Sequence, residues 1–278
     1  MSISDISPLD ASWLRHVRGR VLFMLGRVRR TDVPPSPPEA RSADQALRRS
    51  LRSAVFGELG GVRPDPADRH RSWWGGCTLG APGEKVPIGA SGRSMVSLVQ
   101  VRTDELGGPT AGLQEAALLV LWLDLEGNLF AAVEGDDFVV RTYPTIDGLV
   151  PLGPGYRESE ALPTFPVRWR DPVPEAPSWE DFAFDVPSRV AWSDTSDWFH
   201  GNAVRKQTDA LQQSCPIKVG GWPTWIQGTQ WENTRDREDF VLQIDSTEKG
   251  RIGFGDSGSI YLFRDKRNGA WLLRCDFF

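Results

Sequence analysis

The sequence predicts an α+β fold: a duplicated, mainly antiparallel β-rich body with an N-terminal helical segment. Three observations carry this. Apolar runs of strand length at 96–101, 118–123, 240–244 and 259–263 dominate the chain beyond residue 70. They are too short for buried helices and rich in β-branched and aromatic residues. A Gly-Gly pair, a glutamine inside an apolar strand and an aspartate closing the next strand recur twice in the same order. Helical periodicity is concentrated before residue 60, with one short helix expected at 202–213.

Taken in order, Asp10 and Ser12 cap a helix expected over 13–30. Leu14, Val17, Val21, Leu25 and Val28 form its stripe, and Arg15, Arg18, Arg20, Arg27 and Arg29 decorate the rest. Such a basic amphipathic helix packs on its own domain or rests on an anionic surface. The proline-rich stretch 32–38 is a linker. A second helix is expected over 39–59, with Leu47, Leu51, Val55 and Leu59 on one face and Gly60-Gly61 ending it. The expected organisation is therefore a helical segment, 1–62, and a β-rich domain, 63–278. Within the domain, repeat one spans about 71–148, a connection 149–214, and repeat two 215–278.

The repeat is metrical. Trp74-Gly-Gly-Cys-Thr-Leu79 stands where Val219-Gly-Gly-Trp-Pro-Thr224 stands later. Gly76 to Gln100 and Gln100 to Asp124 are 24 residues each; Gly221 to Gln243 and Gln243 to Asp265 are 22 each. Adjacent glycines mark a backbone needing positive φ or close approach. A glutamine in a strand buried on both faces must satisfy its amide, and the backbone of a Gly-Gly turn supplies partners. Gly220, Gly221, Gln100, Gln243, Asp245 and Asp256 are thus the motif residues, placed by this reading at a cleft between repeats or in a purely structural role.

These motifs resemble those of the YwqG-like proteins, a domain of unknown function numbered 1963. The resemblance rests on Gly220, Gly221 and Pro223, then Leu242 to Asp245, then Gly255, Asp256 and Gly258, and covers about residue 71 to the C-terminus. The first copy lacks the proline, and Phe254 stands where relatives usually carry tryptophan. No reaction comes with the family. The resemblance implies an immunity role, since relatives often lie beside bacterial polymorphic-toxin genes.

Composition narrows the function classes. With 40% hydrophobic and 25% charged residues the chain is globular. Cys77, Cys215 and Cys275 are too far apart for a zinc spacing or a disulfide framework. The longest early apolar run, 21–25, is too short to span a bilayer and no signal-type cleavage site follows. A cytoplasmic protein without a membrane span is expected. Through His70 there are twelve arginines against eight acids; beyond it, twenty basic residues against twenty-nine acidic ones. An acidic body disfavours nucleic acid and attracts a basic partner.

Enzyme signatures are weak. Gly255-Asp-Ser-Gly258 has the look of a serine-protease nucleophile turn, but His16, His70 and His200 sit in no matching context. Asp256 and Ser257 fit a turn between strands. Glu134-Gly-Asp-Asp137 reads as a hairpin tip, not a calcium loop. The Gly-Gly pairs lack the lysine and spacing of phosphate cradles. Asp245 and Asp256 read as structural carboxylates without a general-acid partner. No catalytic residue, metal or cofactor is therefore expected.

The leading expectation is a non-enzymatic protein-binding module, an immunity protein neutralising a cognate toxin or another basic protein. Its expected binding surface is aromatic and acidic: Trp169, Trp179, Glu180, Asp181 and Trp198. The alternatives are a small-ligand-binding protein or uncharacterised enzyme using the cleft between repeats, and a chaperone or assembly factor for a basic protein.

Overall fold

The computed structural model describes residues 45–61, 68–76, 78–108, 112–152, 162–183, 202–228, 230–231 and 234–278. The helix expected at 13–30 lies outside the described residues, as does Trp198. Among the described residues, eleven antiparallel strands form one sheet in the order β13 (Trp271–Asp276), β12 (Ser259–Asp265), β11 (Glu238–Asp245), β10 (Ile217–Gly220), β1 (Arg52–Leu59), β8 (Phe165–Trp169), β2 (Trp73–Trp74), β4 (Val96–Arg102), β5 (Leu118–Leu123) and β6 (Phe138–Tyr143), with β9 (Val173–Glu175) pairing β1. The strands β3 (Leu79–Gly80) and β7 (Val150–Pro151) pair separately.

The two repeats are the two ends of that sheet. Repeat one supplies β2 (Trp73–Trp74), β4 (Val96–Arg102), β5 (Leu118–Leu123) and β6 (Phe138–Tyr143). Repeat two supplies β10 (Ile217–Gly220), β11 (Glu238–Asp245), β12 (Ser259–Asp265) and β13 (Trp271–Asp276). Their registers correspond step for step. Trp73 opposes Gln100, and Lys218 opposes Gln243. Gln100 opposes Val120, which opposes Arg141; Gln243 opposes Tyr261, which opposes Arg274. Each repeat also has a register shift just before its glutamine, between Ser97 and Val99 and between Phe240 and Leu242. A bulge adds one residue and local twist, so its recurrence at matched positions marks one backbone design used twice.

The sheet's centre overturns one expectation. Of the expected second helix, 39–44 lie outside the described residues and 45–50 are helical, but β1 (Arg52–Leu59) is a strand between β10 and β8. The spacing of Leu47, Leu51, Val55 and Leu59 fits a helix face, but Ala54 to Phe56 are buried on both sides, so tertiary pairing prevails over local periodicity. Gly60 and Gly61, with φ of 70° and 84°, end a strand. The proline-rich connection likewise contributes short strands, β8 (Phe165–Trp169) and β9 (Val173–Glu175). The helix Ala203–Ser214 forms where expected, capped by Asn202, whose side chain accepts from the Val204 amide.

β1 precedes repeat one yet pairs β10 of repeat two, while β8 precedes repeat two yet pairs β2 of repeat one. Each repeat thus completes the other. The sheet bends into a nearly closed body, and the inner faces of both repeats share one core containing Leu98, Val99, Leu121, Phe138, Leu242, Ile244, Leu262 and Leu273. The opposite faces carry satellite clusters: Leu79, Met95, Val120, Trp122 and Tyr143 on repeat one, and Trp222, Trp231, Phe240, Tyr261 and Phe263 on repeat two. Both faces are covered, hence the nearly unbroken apolar strands.

Candidate functional site

The Gly-Gly turns are built alike and closed by like groups. Gly75, Gly76, Gly220 and Gly221 all have positive φ. A Cβ on Gly221 would lie 2.0 Å from Glu175 Oε2, and one on Gly76 would lie 1.6 Å from Thr164 Oγ1. Three residues after each pair, a backbone amide donates to the inward glutamine: Leu79 N–H to Gln100 Oε1 at 2.8 Å, and Thr224 N–H to Gln243 Oε1 at 2.9 Å. Five residues after, an amide donates to a carboxylate: Ala81 N–H to Glu84 and Ile226 N–H to Asp276. Gln100 spends its own N–H groups on the carbonyls of Arg69 and Arg71, and Gln243 on Asp245. The motif is therefore the scaffold's own fastening, as buried amides demand.

Repeat two adds a buried polar chain. The ammonium of Lys218, fully buried, donates to Glu175 Oε1 at 2.8 Å, Thr224 Oγ1 at 2.8 Å and the Trp222 carbonyl. Glu175 Oε2 accepts the Trp222 amide at 2.7 Å. Asp245 accepts from Gln243, Ser259 and Gln212. Burial pushes the carboxyls of Glu175 and Asp245 above the usual carboxylate range, with Lys218 opposing it in both. Burial also raises the Tyr261 phenol, whose hydroxyl donates to the Thr224 carbonyl at 2.7 Å. An ammonium has three N–H bonds, and all three are engaged on Lys218. The chain ties the loop after Gly221 to β9 and β10 through Lys218.

The two glutamines do not converge on a cleft. Each faces the satellite cluster of its own repeat, because its strand neighbours Val99, Val101, Leu242 and Ile244 point into the shared core. Asp245 and Asp256 are not brought into a pair: Asp245 is held in the buried chain, while Asp256 is exposed on the turn after Gly255. Ser257 beside it has a φ of 53°, as a turn residue with left-handed backbone. Among the described residues, no cluster of three or more His, Cys, Asp or Glu is placed to hold a metal ion.

The expected aromatic and acidic surface is turned inward where it is described. Asp181 is 1% exposed and accepts from Trp225 Nε1 at 3.0 Å, so its carboxylate secures the loop after Gly221. Trp169 is half-buried, donates through Nε1 to Ser72 Oγ and packs over Gly57. Trp179 is half-buried beside Phe182. The Glu180 side chain and Trp198 lie outside the description.

An aromatic surface with acids does occur elsewhere, at the β5–β6 loop. Its 3-10 turn Leu129–Ala131 leans on β13. Phe130 is 59% exposed and meets the Phe277 ring edge-on at 5.0 Å, while Val133 is 53% exposed. Glu134 reaches back to accept the Trp271 amide, and the Phe278 amide donates to the Asp256 carbonyl, placing Asp256 at the same end. Residues 124–137 include five acids and no lysine or arginine. Asp124 and Asp137 are buried, with their carboxylates closing the loop's own amides, and Glu126 pairs with Arg93. Glu134 and Asp136 are exposed. The sequence signal was there, in an acid-only loop bearing a phenylalanine, but it reads first as a hairpin tip.

No curated protein matches the chain. A family model described as a domain of unknown function matches residues 72–272, spanning the sheet from β2 into β13. The chain therefore belongs to that family, DUF1963.

Proposed function

We propose that the chain is a non-enzymatic protein-binding module that docks a basic protein on the Phe130 end of the sheet, and that its partner is a cognate bacterial toxin. The observation that carries the reading is Phe130 itself. It is a large aromatic side chain held out on an ordered loop, braced by Phe277 and flanked by Glu134, Asp136 and Asp256. Exposed aromatics at the centre of a patch anchor interfaces, and a rim of one charge selects the opposite charge and speeds encounter. The acidic balance of the chain beyond His70 extends that field. The toxin reading adds what the family resemblance implies about gene neighbourhood. The fully engaged polar groups of the Gly-Gly motif favour a scaffold over a catalyst.

The test is co-expression with the protein encoded beside the gene. Binding of that product at micromolar concentration and rescue of growth are expected. Phe130→Asp and Val133→Asp should each weaken binding by about tenfold or more while circular dichroism stays unchanged. Absence of binding by the neighbour's product removes the toxin partner, and full binding by a folded Phe130→Asp chain removes this docking face.

A further inference from the structure

The satellite cluster of repeat two ends in a corner that holds a cation. Trp222 and Trp231 meet edge to face with centroids 5.9 Å apart. The guanidinium carbon of Arg52 lies 3.6 Å from the Trp222 centroid and 5.2 Å from that of Trp231. Arg52 is exposed at the first position of β1, whereas Trp222 and Trp231 are 3% and 1% exposed. Among the described residues, the arginine lies outermost over two buried indole faces. Aromatic faces carry negative charge density, and a cation over them is stabilised most when water is kept away.

The duplication supplies an internal control. Trp74 opposes Phe165 as Val219 opposes Val55, and the would-be Cβ atoms of Gly76 and Gly221 meet Thr164 and Ala54. Counting back from these pairs, the position matching Arg52 is Leu162, which precedes β8 and is a buried residue of the shared core. The position matching Trp222 is Cys77, and Ser97 matches Phe240. At these positions repeat one builds the same strands and glycine turn with no arginine and no indole; its own cation over an indole, Arg141 at 6.0 Å from the Trp122 centroid, is instead the counterpart of Arg274 over Phe263. The architecture does not require an arginine and an indole at the positions of Arg52 and Trp222.

We propose that the Trp222–Trp231 corner is a binding site for an organic cation, a guanidinium or alkylated ammonium group, which the free chain fills with its own Arg52. A ligand's cation and Arg52 are then alternatives for one site, and access to it is set by how readily the arginine swings outward. Trp222 Nε1 donates to the Ser50 carbonyl at 2.7 Å, and its backbone amide is held by Glu175, so the indole stays in place when the arginine leaves. The inference stands independently of the Phe130 docking face.

The experiment titrates tetramethylammonium chloride, with sodium chloride as the ionic-strength control, into the full chain and into Arg52→Ala. Tryptophan emission and the Trp222 indole N–H resonance are followed. Saturable binding is expected for Arg52→Ala, about tenfold or more tighter than for the unaltered chain, whose own arginine competes. Arg52→Gln keeps a polar stem without charge and should behave like Arg52→Ala, covering the case in which the alanine variant does not fold. No saturable change in a folded variant overturns the proposal. So does equal affinity with and without Arg52.

Discussion

Glu58 and Arg168 face each other across β1 and β8 and form an ion pair where the two repeats exchange strands. Counting outward, Gly57 opposes Trp169 and Leu59 opposes Val167, so equivalent positions of the two repeats interchange about this pair. In a symmetric homodimer such a central position would meet itself. A like-charge pair directly opposite is destabilising; a duplicated single chain can place glutamate against arginine. Arg170 also reaches Glu58. The pair is partly solvated, so it sets register more than it adds stability.

The glycine turns lead to the first prediction. Gly221→Ala places a Cβ against Glu175 and Ala54 with φ at +70°, whereas Gly83, at +87°, has open space around it. Gly83→Ala should cost about 1 kcal/mol for the left-handed backbone alone. Gly221→Ala should cost at least about 1 kcal/mol more, through the displaced carboxylate of the buried ion pair. Urea unfolding of both variants measures the difference.

Gln100→Leu and Gln243→Leu form a matched pair. Each strands one loop amide, at Leu79 or Thr224, that is otherwise satisfied. Each should cost about 1–3 kcal/mol in urea unfolding, since an orphaned amide carries the desolvation penalty. Glutamines with the same role should give losses of similar size. A near-zero loss at one position would show that the repeats use these residues differently.

Removing one partner of the Lys218–Glu175 pair should be more damaging. Lys218→Met leaves a buried carboxylate facing apolar groups and should cost about 3–5 kcal/mol. The double variant Lys218→Met/Glu175→Gln removes both charges and keeps an acceptor for the Trp222 amide. It should recover a large part of the loss, which a double-mutant cycle reads directly.

Asp265 sets part of the acid limit. Bonds from the Arg267 guanidinium and backbone amide hold its carboxyl down to about 2. As pH falls from about 3.8, the unfolded chain takes up this proton before the folded one, so the contribution of this carboxylate to stability declines through that window and is gone below about 2. Above it the contribution is complete. Asp265→Asn should flatten the stability curve across this range, as equilibrium unfolding at a series of acidic pH values will show.

Much of the fold was legible. The landmarks around Gln100, Gln243, Asp124 and Asp265 located four of the strands, because strands buried on both faces are apolar without alternation. The helix capped by Asn202 was also legible, as the expected segment 202–213. β1 was not, since Leu51, Val55 and Leu59 fit a helical face as well as they fit a strand. β8 was hidden by Pro166, as proline argues against an inner strand. At the candidate site, composition pointed to acids among aromatics near Trp179 and Asp181. It carried no information on which way those side chains face, and Asp181 turned out to bond Trp225 inside.

The amino-acid sequence alone determined that a glycine turn, a glutamine strand and an aspartate-closed strand are used twice, because those features depend on local backbone freedom and on which groups can be buried. Only the tertiary structure decided that β1 crosses to β10 and β8 to β2, and that Phe130 rather than Trp179 stands out in solvent. Backbone donors and acceptors are alike along every strand, so a pairing such as Ala54 with Gly220 leaves no local mark. Which aromatic is left uncovered depends on how the nearly closed sheet brings its last strand against the β5–β6 loop.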